Sequence, residues 1–291
     1  MPGNDLEVPE SWKALAISSV NGPLLIVGTA DSGKSTLARY LHGCFGRQGR
    51  PAAYIDGDPG QSTVGPPATI TLALSNEDDT AFPPTESRRI WFVGSSTPRG
   101  HMLPLIAGAA RLLQEARRAD VGPIIYDSSG LTDPDLGGAA LKQALVDVLQ
   151  PQLIISIQLQ QELEVLLRPW RKQRGLDLVE LAAAPAVRRR DSAERQAHRA
   201  RRFAQHFRHA RRLTLDPDRF AVIPSAAWQV GRLLALRDER GFVLALAIVQ
   251  ERTASGELRL WTPLPDAQAI ASIQVGDLLV NPRTYRDQLI R

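Results

Sequence analysis

The octapeptide Gly28-Thr29-Ala30-Asp31-Ser32-Gly33-Lys34-Ser35 follows an apolar run, Leu24-Leu25-Ile26-Val27, and precedes a segment in which Leu37, Leu41, Cys44 and Phe45 recur at helical spacing. The pattern predicts strand, glycine loop, helix. That arrangement aims backbone N–H groups and the positive end of a helix dipole at one point, a cradle for phosphate. The spacing G-x-x-x-x-G-K-S assigns nucleotide contacts to Gly28, Thr29, Ala30, Asp31, Ser32, Gly33, Lys34, Ser35 and Thr36. Lys34 is expected to reach the β- and γ-phosphates and the Ser35 hydroxyl to bind Mg²⁺. With 22 glycines in 291 residues, about 0.002 accidental matches are expected. Nucleotide binding is therefore decided at this level, and the fate of the γ-phosphate is the open question.

From this loop to about residue 160, short apolar runs alternate with helical patterns, which predicts an α/β fold with a parallel sheet flanked by helices. Strands are expected at 24–27, 52–55, 90–93, 123–126 and 153–157, and helices at 34–45, 101–118, 136–149 and 160–167. Residues 69–74, bracketed by Pro66, Pro67, Pro83 and Pro84, read as an added strand or hairpin outside the central sheet. After Leu215 the texture changes to strand-like runs at 229–236, 242–250 and 257–262 joined by turn-forming connectors, with a further strand pair expected in 270–281. Residues 1–215 are thus expected to form the P-loop domain, and residues 216–291 a small C-terminal antiparallel β domain.

Charge is unevenly spread. Residues 186–212 hold ten arginines against Asp191 and Glu194, a net +8, whereas the whole chain carries +4 and the remainder therefore −4. Arginine grips phosphate bidentately, so this segment reads as an arginine-rich helical lid facing phosphate. From Ser192 to Arg212 the spacing is helical, with Arg195, Arg199, Arg202, His206 and His209 on one face and Ala200, Ala204 and Phe207 on the other. A single cysteine, Cys44, excludes an internal disulfide framework and a cysteine zinc cluster. The first twenty residues resemble neither a secretory signal nor a transmembrane span, so a cytoplasmic protein with no membrane partner is expected.

Three further segments carry chemistry. Asp56-Gly57-Asp58-Pro59-Gly60-Gln61 ends a strand beside the phosphate loop, where carboxylates can hold Mg²⁺ or take a proton from a nucleophile. Gly94-Ser95-Ser96-Thr97-Pro98-Arg99-Gly100-His101 ends another strand and can present N–H and hydroxyl groups to an anion. Tyr126-Asp127-Ser128-Ser129-Gly130-Leu131 ends a third, with Asp127 placed to join Ser35 and Asp56 around the metal.

Together these segments resemble the polynucleotide 5′-hydroxyl kinase family that includes the kinase subunit of the eukaryotic mRNA 3′-cleavage factor and the kinases of ribosomal RNA processing. The resemblance rests on Gly28–Thr36, Asp56–Gln61, Gly94–His101 and the arginine series ending in Phe203–Phe207, and runs from about residue 22 to 212. It implies ATP- and Mg²⁺-dependent transfer of the γ-phosphate to the 5′-hydroxyl end of RNA or DNA. It implies Asp58 as general base with Gln61 nearby, Thr97, Pro98 and His101 at the acceptor, Arg190 and Arg195 on the phosphates, and Arg199 on the polynucleotide. One departure stands out. The family commonly has Asn-Thr-x-Gly-Trp where this chain has Asp127-Ser-Ser-Gly-Leu131, so an aromatic able to stack on the terminal base, worth about 1–3 kcal/mol, is missing.

Two other readings compete: an ATPase or GTPase switch without a phosphoryl acceptor, and a nucleoside kinase. GTP recognition usually brings an N-K-x-D tetrapeptide, which the sequence lacks, and no second lysine precedes Lys34 within the loop. The missing Trp favours the nucleoside kinase among the two.

Overall fold

The structure is a computed structural model that describes residues 8–75, 82–84, 87–184, 187–225 and 228–290. In chain order its elements are α1 (Glu10–Lys13), β1 (Pro23–Gly28), α2 (Lys34–Arg47), β2 (Ala53–Gly57), β3 (Thr69–Leu74), β4 (Ser87–Phe92), α3 (Met102–Arg118), β5 (Ile124–Ser128), α4 (Gly138–Leu149), β6 (Leu153–Gln158), α5 (Glu164–Trp170), β7 (Asp177–Ala182) and α6 (Ser192–His206). The strands β8 (Arg211–Leu215), β9 (Ala221–Ile223), β10 (Arg232–Arg237), β11 (Val243–Arg252), β12 (Leu258–Thr262), β13 (Ser272–Val280) and β14 (Asp287–Leu289) follow.

The first sheet has the order β4-β3-β2-β5-β1-β6-β7. Strands β2, β5, β1, β6 and β7 pair in parallel, as the alternating pattern requires. Every residue of β1 is buried because helices cover both faces. Leu24 and Ile26 pack with Trp12, Leu37, Leu41 and Phe45 on the α1–α2 side, and Leu25 and Val27 with Leu105, Leu112, Leu141 and Leu167 on the α3–α5 side. Period two along the strand and the helical stripe of α2 thus meet in one core.

Several expectations are corrected. Residues 69–74 belong to the central sheet: β3 pairs antiparallel with both β2 and β4, so the Pro-flanked segment returns into the sheet instead of leaving it. The same reversal makes β4 run with β2, and their carboxyl ends share one edge with β1 and β5. The helix expected over 192–212 stops at His206, and Arg211 and Arg212 start β8, which pairs with β12. Ala186, the expected start of the lid, lies outside the described residues. His206 is no part of a charged stripe. Burial lowers its imidazole to about 4, so it is neutral, and its Nε2 accepts from Leu246 N at 3.1 Å. The segment 270–281 forms one strand, β13, whose antiparallel partner β14 follows beyond it.

The second sheet runs β14-β13-β10-β11-β12-β8, antiparallel throughout, with β9 added parallel to β13. Leu233 and Ala235 face Phe203 and Phe207 of α6 together with Phe92 of β4. Leu234 and Leu236 face a separate core containing Leu215, Leu258 and Ile273. Helix α6 thus turns Phe203 to the second sheet and Arg195 and Arg202 to the first, while Arg199 pairs with Asp287 of β14. Among the described residues no helix is long and apolar enough to cross a membrane.

The two sheets approach each other closely at Gly276 of β13. A Cβ there would lie 2.7 Å from Phe92 Cζ, 3.0 Å from Gly94 O and 3.1 Å from Leu233 O. Two of those three neighbours are backbone, so the strain cannot be relieved by one rotamer. Gly276→Val is expected to destabilise the fold by about 1–3 kcal/mol, as overpacking does; unchanged thermal and urea unfolding midpoints would contradict this packing.

Candidate active site

The carboxyl ends of β1, β2, β4 and β5 gather the predicted segments at one edge, where open α/β sheets hold ligands. After β1, Asp31 takes φ 60° and Gly33 φ 98°, so the loop turns through left-handed backbone twice before α2 begins at Lys34. Lys34 is 6% exposed and its Nζ donates to Thr29 O at 2.6 Å, within the loop it serves. Burial lowers its ammonium, opposed by the charges of Asp127, Asp58 and Asp31.

The lid arginines meet the loop at Asp31. Arg190 Nε donates to Asp31 Oδ1 at 2.9 Å and its backbone N to Oδ2 at 3.1 Å, while Arg195 Nη2 donates to Oδ2 at 2.7 Å. Asp31 is 3% exposed, and although its desolvation raises the pKa, these bonds hold its carboxyl below the usual range. Local sequence makes the convergence possible. Asp191 accepts from Glu194 N at 2.7 Å and Glu194 accepts from Asp191 N at 2.9 Å, a capping box that starts α6 between the two arginines.

After β2, the two acids separate. Asp56 is buried, and its Oδ2 accepts from Thr63 N at 2.7 Å and Val64 N at 2.9 Å. Burial first, then the charge of Asp127, pushes its carboxyl up to about 7. Asp58 is half-buried; its Oδ1 accepts from Gly60 N at 2.8 Å and Gln61 N at 3.0 Å, and its Oδ2 has no hydrogen bond among the described residues. Gln61 turns Nε2 to Gly60 O at 2.7 Å and leaves Oε1 buried without a partner. A Cβ at Gly60 would lie 2.4 Å from Ser96 O, so this glycine lets the Asp58 turn touch the loop after β4.

That loop is braced from within and from the second sheet. Thr97 N donates to Ser95 Oγ at 3.2 Å, and Thr97 Oγ1 accepts from Arg99 N at 3.3 Å. Pro98 is buried. His101 has both ring nitrogens engaged: Nδ1 with Arg99 O at 3.2 Å and Nε2 with Asp277 Oδ2 at 2.9 Å. Arg199 Nε donates to both oxygens of Asp287 at 2.9 Å, and Ser96 Oγ donates to Asp287 Oδ2 at 3.0 Å.

After β5, Asp127 is buried, accepts from Tyr54 OH at 2.9 Å and has the Ser35 hydroxyl beside it. Desolvation raises its pKa, and its Oδ1 is buried without a partner. A serine hydroxyl beside a carboxylate with an unused oxygen is a donor set that fits a hard divalent cation. Asp56, its oxygens turned to backbone N–H groups, lies beside Asp127 in the register of β2 and β5. Leu131 packs against the α3–α5 core.

Lys142, Ser96, Asp287 and His198 were not singled out from sequence, and Arg202 only as one of a basic helical face. His198 donates to Ser62 O at 3.0 Å and Arg202 to Gly65 O at 2.9 Å, so α6 fastens both ends of the turn that cages Asp56. Lys142 had a legible signal: a charge on the apolar stripe Leu141, Leu145, Val146, Leu149 of α4. It is fully buried, and its Nζ donates to Ser128 Oγ at 2.9 Å and Ser129 O at 2.5 Å, holding the loop after β5 from beneath.

Burial pushes the Lys142 ammonium down to about 7. An unfolded lysine keeps its proton to about 10.4, so between these values the unfolded chain binds the extra proton and this residue's contribution to stability rises with pH. Lys142→Met removes that rise. The stability of the variant relative to wild type is expected to decline from about pH 7 to pH 10; a flat or rising difference in urea unfolding would contradict the assignment.

Residues 28–209 match the family of the mRNA cleavage and polyadenylation factor CLP1 P-loop. A polyribonucleotide 5′-hydroxyl-kinase of Methanocaldococcus jannaschii is 30% identical over 210 residues, covering 70% of this chain and 56% of the relative. One from Thermococcus kodakarensis is 31% identical over 221 residues, covering 74% and 61%. This chain thus spans less than two thirds of the length of either. Among solved structures, that of the wild-type Clp1p–Pcf11p complex superposes with a TM-score of 0.67 at 13% identity, covering 92% of this chain and 76% of that one, a likeness of fold. A phosphate loop, a carboxylate turn and an arginine helix at one sheet edge accord with the matched span: the chain belongs to the CLP1 P-loop family.

Proposed function

We propose that the protein is an ATP-dependent polynucleotide 5′-hydroxyl kinase that transfers the γ-phosphate to the 5′-hydroxyl end of RNA. The observation that carries this reading is the position of Asp58: a half-buried carboxylate with one oxygen unbonded, touching the Ser96–Pro98 loop through Gly60 on one side and interacting with Lys34 on the other. A donor site alone needs no such second wall. The relatives named above, polyribonucleotide 5′-hydroxyl-kinases by description, support the same reading.

In this reading the loop 28–36 and Lys34 hold the donor phosphates, and Asp58 takes the proton from the attacking hydroxyl as that oxygen bonds to phosphorus. Asp58 suits the base role better than Asp56, which is sealed from solvent and committed to Thr63 and Val64. Arg190 and Arg195, already converged on Asp31, neutralise charge that develops on the transferring group. Ser35 and Asp127 would hold Mg²⁺, which supplies electrostatic stabilisation of the phosphates when bound. Thr97 and Arg199 face the acceptor. With Leu131 turned into the core, terminal-base recognition is expected to be tolerant.

Incubation with γ-labelled ATP and Mg²⁺ should place label on a 5′-hydroxyl oligoribonucleotide and not on a free nucleoside. Lys34→Ala and Asp58→Asn are each expected to lower transfer by about 100-fold or more. ATP hydrolysis with no labelled acceptor of any kind would overturn the reading in favour of a switch ATPase. For Arg195→Ala the loss is expected mainly in kcat, about 100-fold, with KM for ATP changed little. A rise in KM at constant kcat would assign this arginine to ground-state binding instead.

A further inference from the structure

The second sheet supplies a residue to the acceptor side. Asp287 opens β14, its side chain is 3% exposed, and it bonds two elements of the other half of the molecule. Ser96 Oγ, 191 residues away in sequence, donates to Oδ2 at 3.0 Å, and Arg199 Nε donates to both oxygens at 2.9 Å. Gln196 Nε2 adds a bond to the Asp287 carbonyl at 3.2 Å, and its Oε1 accepts from Arg286 Nη2 at 2.7 Å. The strand is thus fastened to α6 one turn beyond the arginines that reach the phosphate loop.

We propose that Asp287 is the positioning residue of the acceptor site: it holds the Ser95–Thr97 loop and Arg199 in one fixed arrangement that receives the first phosphodiester of a 5′-hydroxyl polynucleotide. This rests on the kinase reading above. Three observations carry it. The carboxylate and the Arg199 side chain, 17% exposed, are buried together, an arrangement whose desolvation an apolar pair of similar volume would avoid. The Asp287 carboxylate occupies only Nε of Arg199, and both Nη groups have no hydrogen bond among the described residues, leaving a planar fork matched to a phosphate. The same loop is braced a second time from β13, where Asp277 N donates to Gly94 O at 2.7 Å and its carboxylate accepts from His101 and from Arg232 Nη2 at 3.1 Å. Asp277 therefore holds the loop at its two ends, Gly94 and His101, and Asp287 holds it between them at Ser96. Asp287 touches no reacting atom, so it acts through Arg199 and Ser96.

The test compares wild type, Asp287→Asn, Ser96→Ala and the double variant in the full chain, with ATP, Mg²⁺ and a short 5′-hydroxyl oligoribonucleotide. A lost charge-assisted hydrogen bond corresponds to about tenfold or more. Asp287→Asn is expected to raise KM for the oligonucleotide by that factor while KM for ATP stays within about twofold. The double variant should be no worse than Asp287→Asn, because both changes break one connection. An oligonucleotide KM unchanged in Asp287→Asn, or one that rises in step with KM for ATP, would overturn the inference and leave the kinase reading standing. Wild type that labels no oligonucleotide would overturn both. Should Asp287→Asn fail to fold, Ser96→Ala alone decides: a rise of about threefold in oligonucleotide KM supports the inference, and none overturns it.

Discussion

A phosphate loop faced by arginines concentrates positive charge, and that charge must be held by something. Here it is Asp31, inside the phosphate loop, bonded to Arg190 and Arg195, 159 and 164 residues away in sequence. The pair fixes where α6 starts and how it lies. Everything along the helix then falls at set heights: His198 on Ser62, Arg199 on Asp287, Arg202 on Gly65, and Phe203 and Phe207 in the core of the second sheet.

The electrostatics of the edge follow from burial. Asp56 and Asp127 share a desolvated space in which both carboxyls are pushed up, and Lys34 and Lys142 are pushed down in the same environment. Each of these groups disfavours its charged form alone and relies on opposite charge nearby. Asp58 interacts with all four of these groups but is itself only half-buried, beside Gly60, which distinguishes the group open to a reactant from those sealed beneath it.

The first sheet was legible because its strands and helices have different periods and the phosphate loop anchors their register. Leu24–Val27 and the stripe Leu37, Leu41, Phe45 are enough to place β1 and α2. The membership of Thr69–Leu74 was not legible, since pairing partners of a short apolar run depend on topology and not on its own residues. Likewise the ten-arginine segment suggested phosphate, but not that His206 would be a neutral, half-buried joint or that Arg211 and Arg212 would leave the helix. Asp287 carried no local signal. Its meaning arises only when a strand near the end of the chain meets a loop after β4, and no pattern within either segment encodes that meeting.

In the proposed kinase, donor and acceptor halves are held to each other by α6, with Asp58 between them. The most direct measurement is a crystal structure with a non-hydrolysable ATP analogue, Mg²⁺ and a 5′-hydroxyl dinucleotide. The account predicts the terminal hydroxyl within about 3 Å of the Asp58 carboxylate and in line with the γ-phosphate, with Arg190 and Arg195 on that phosphate. A dinucleotide bound with its 5′ end away from Asp58, or arginines that remain on Asp31 alone, would contradict it.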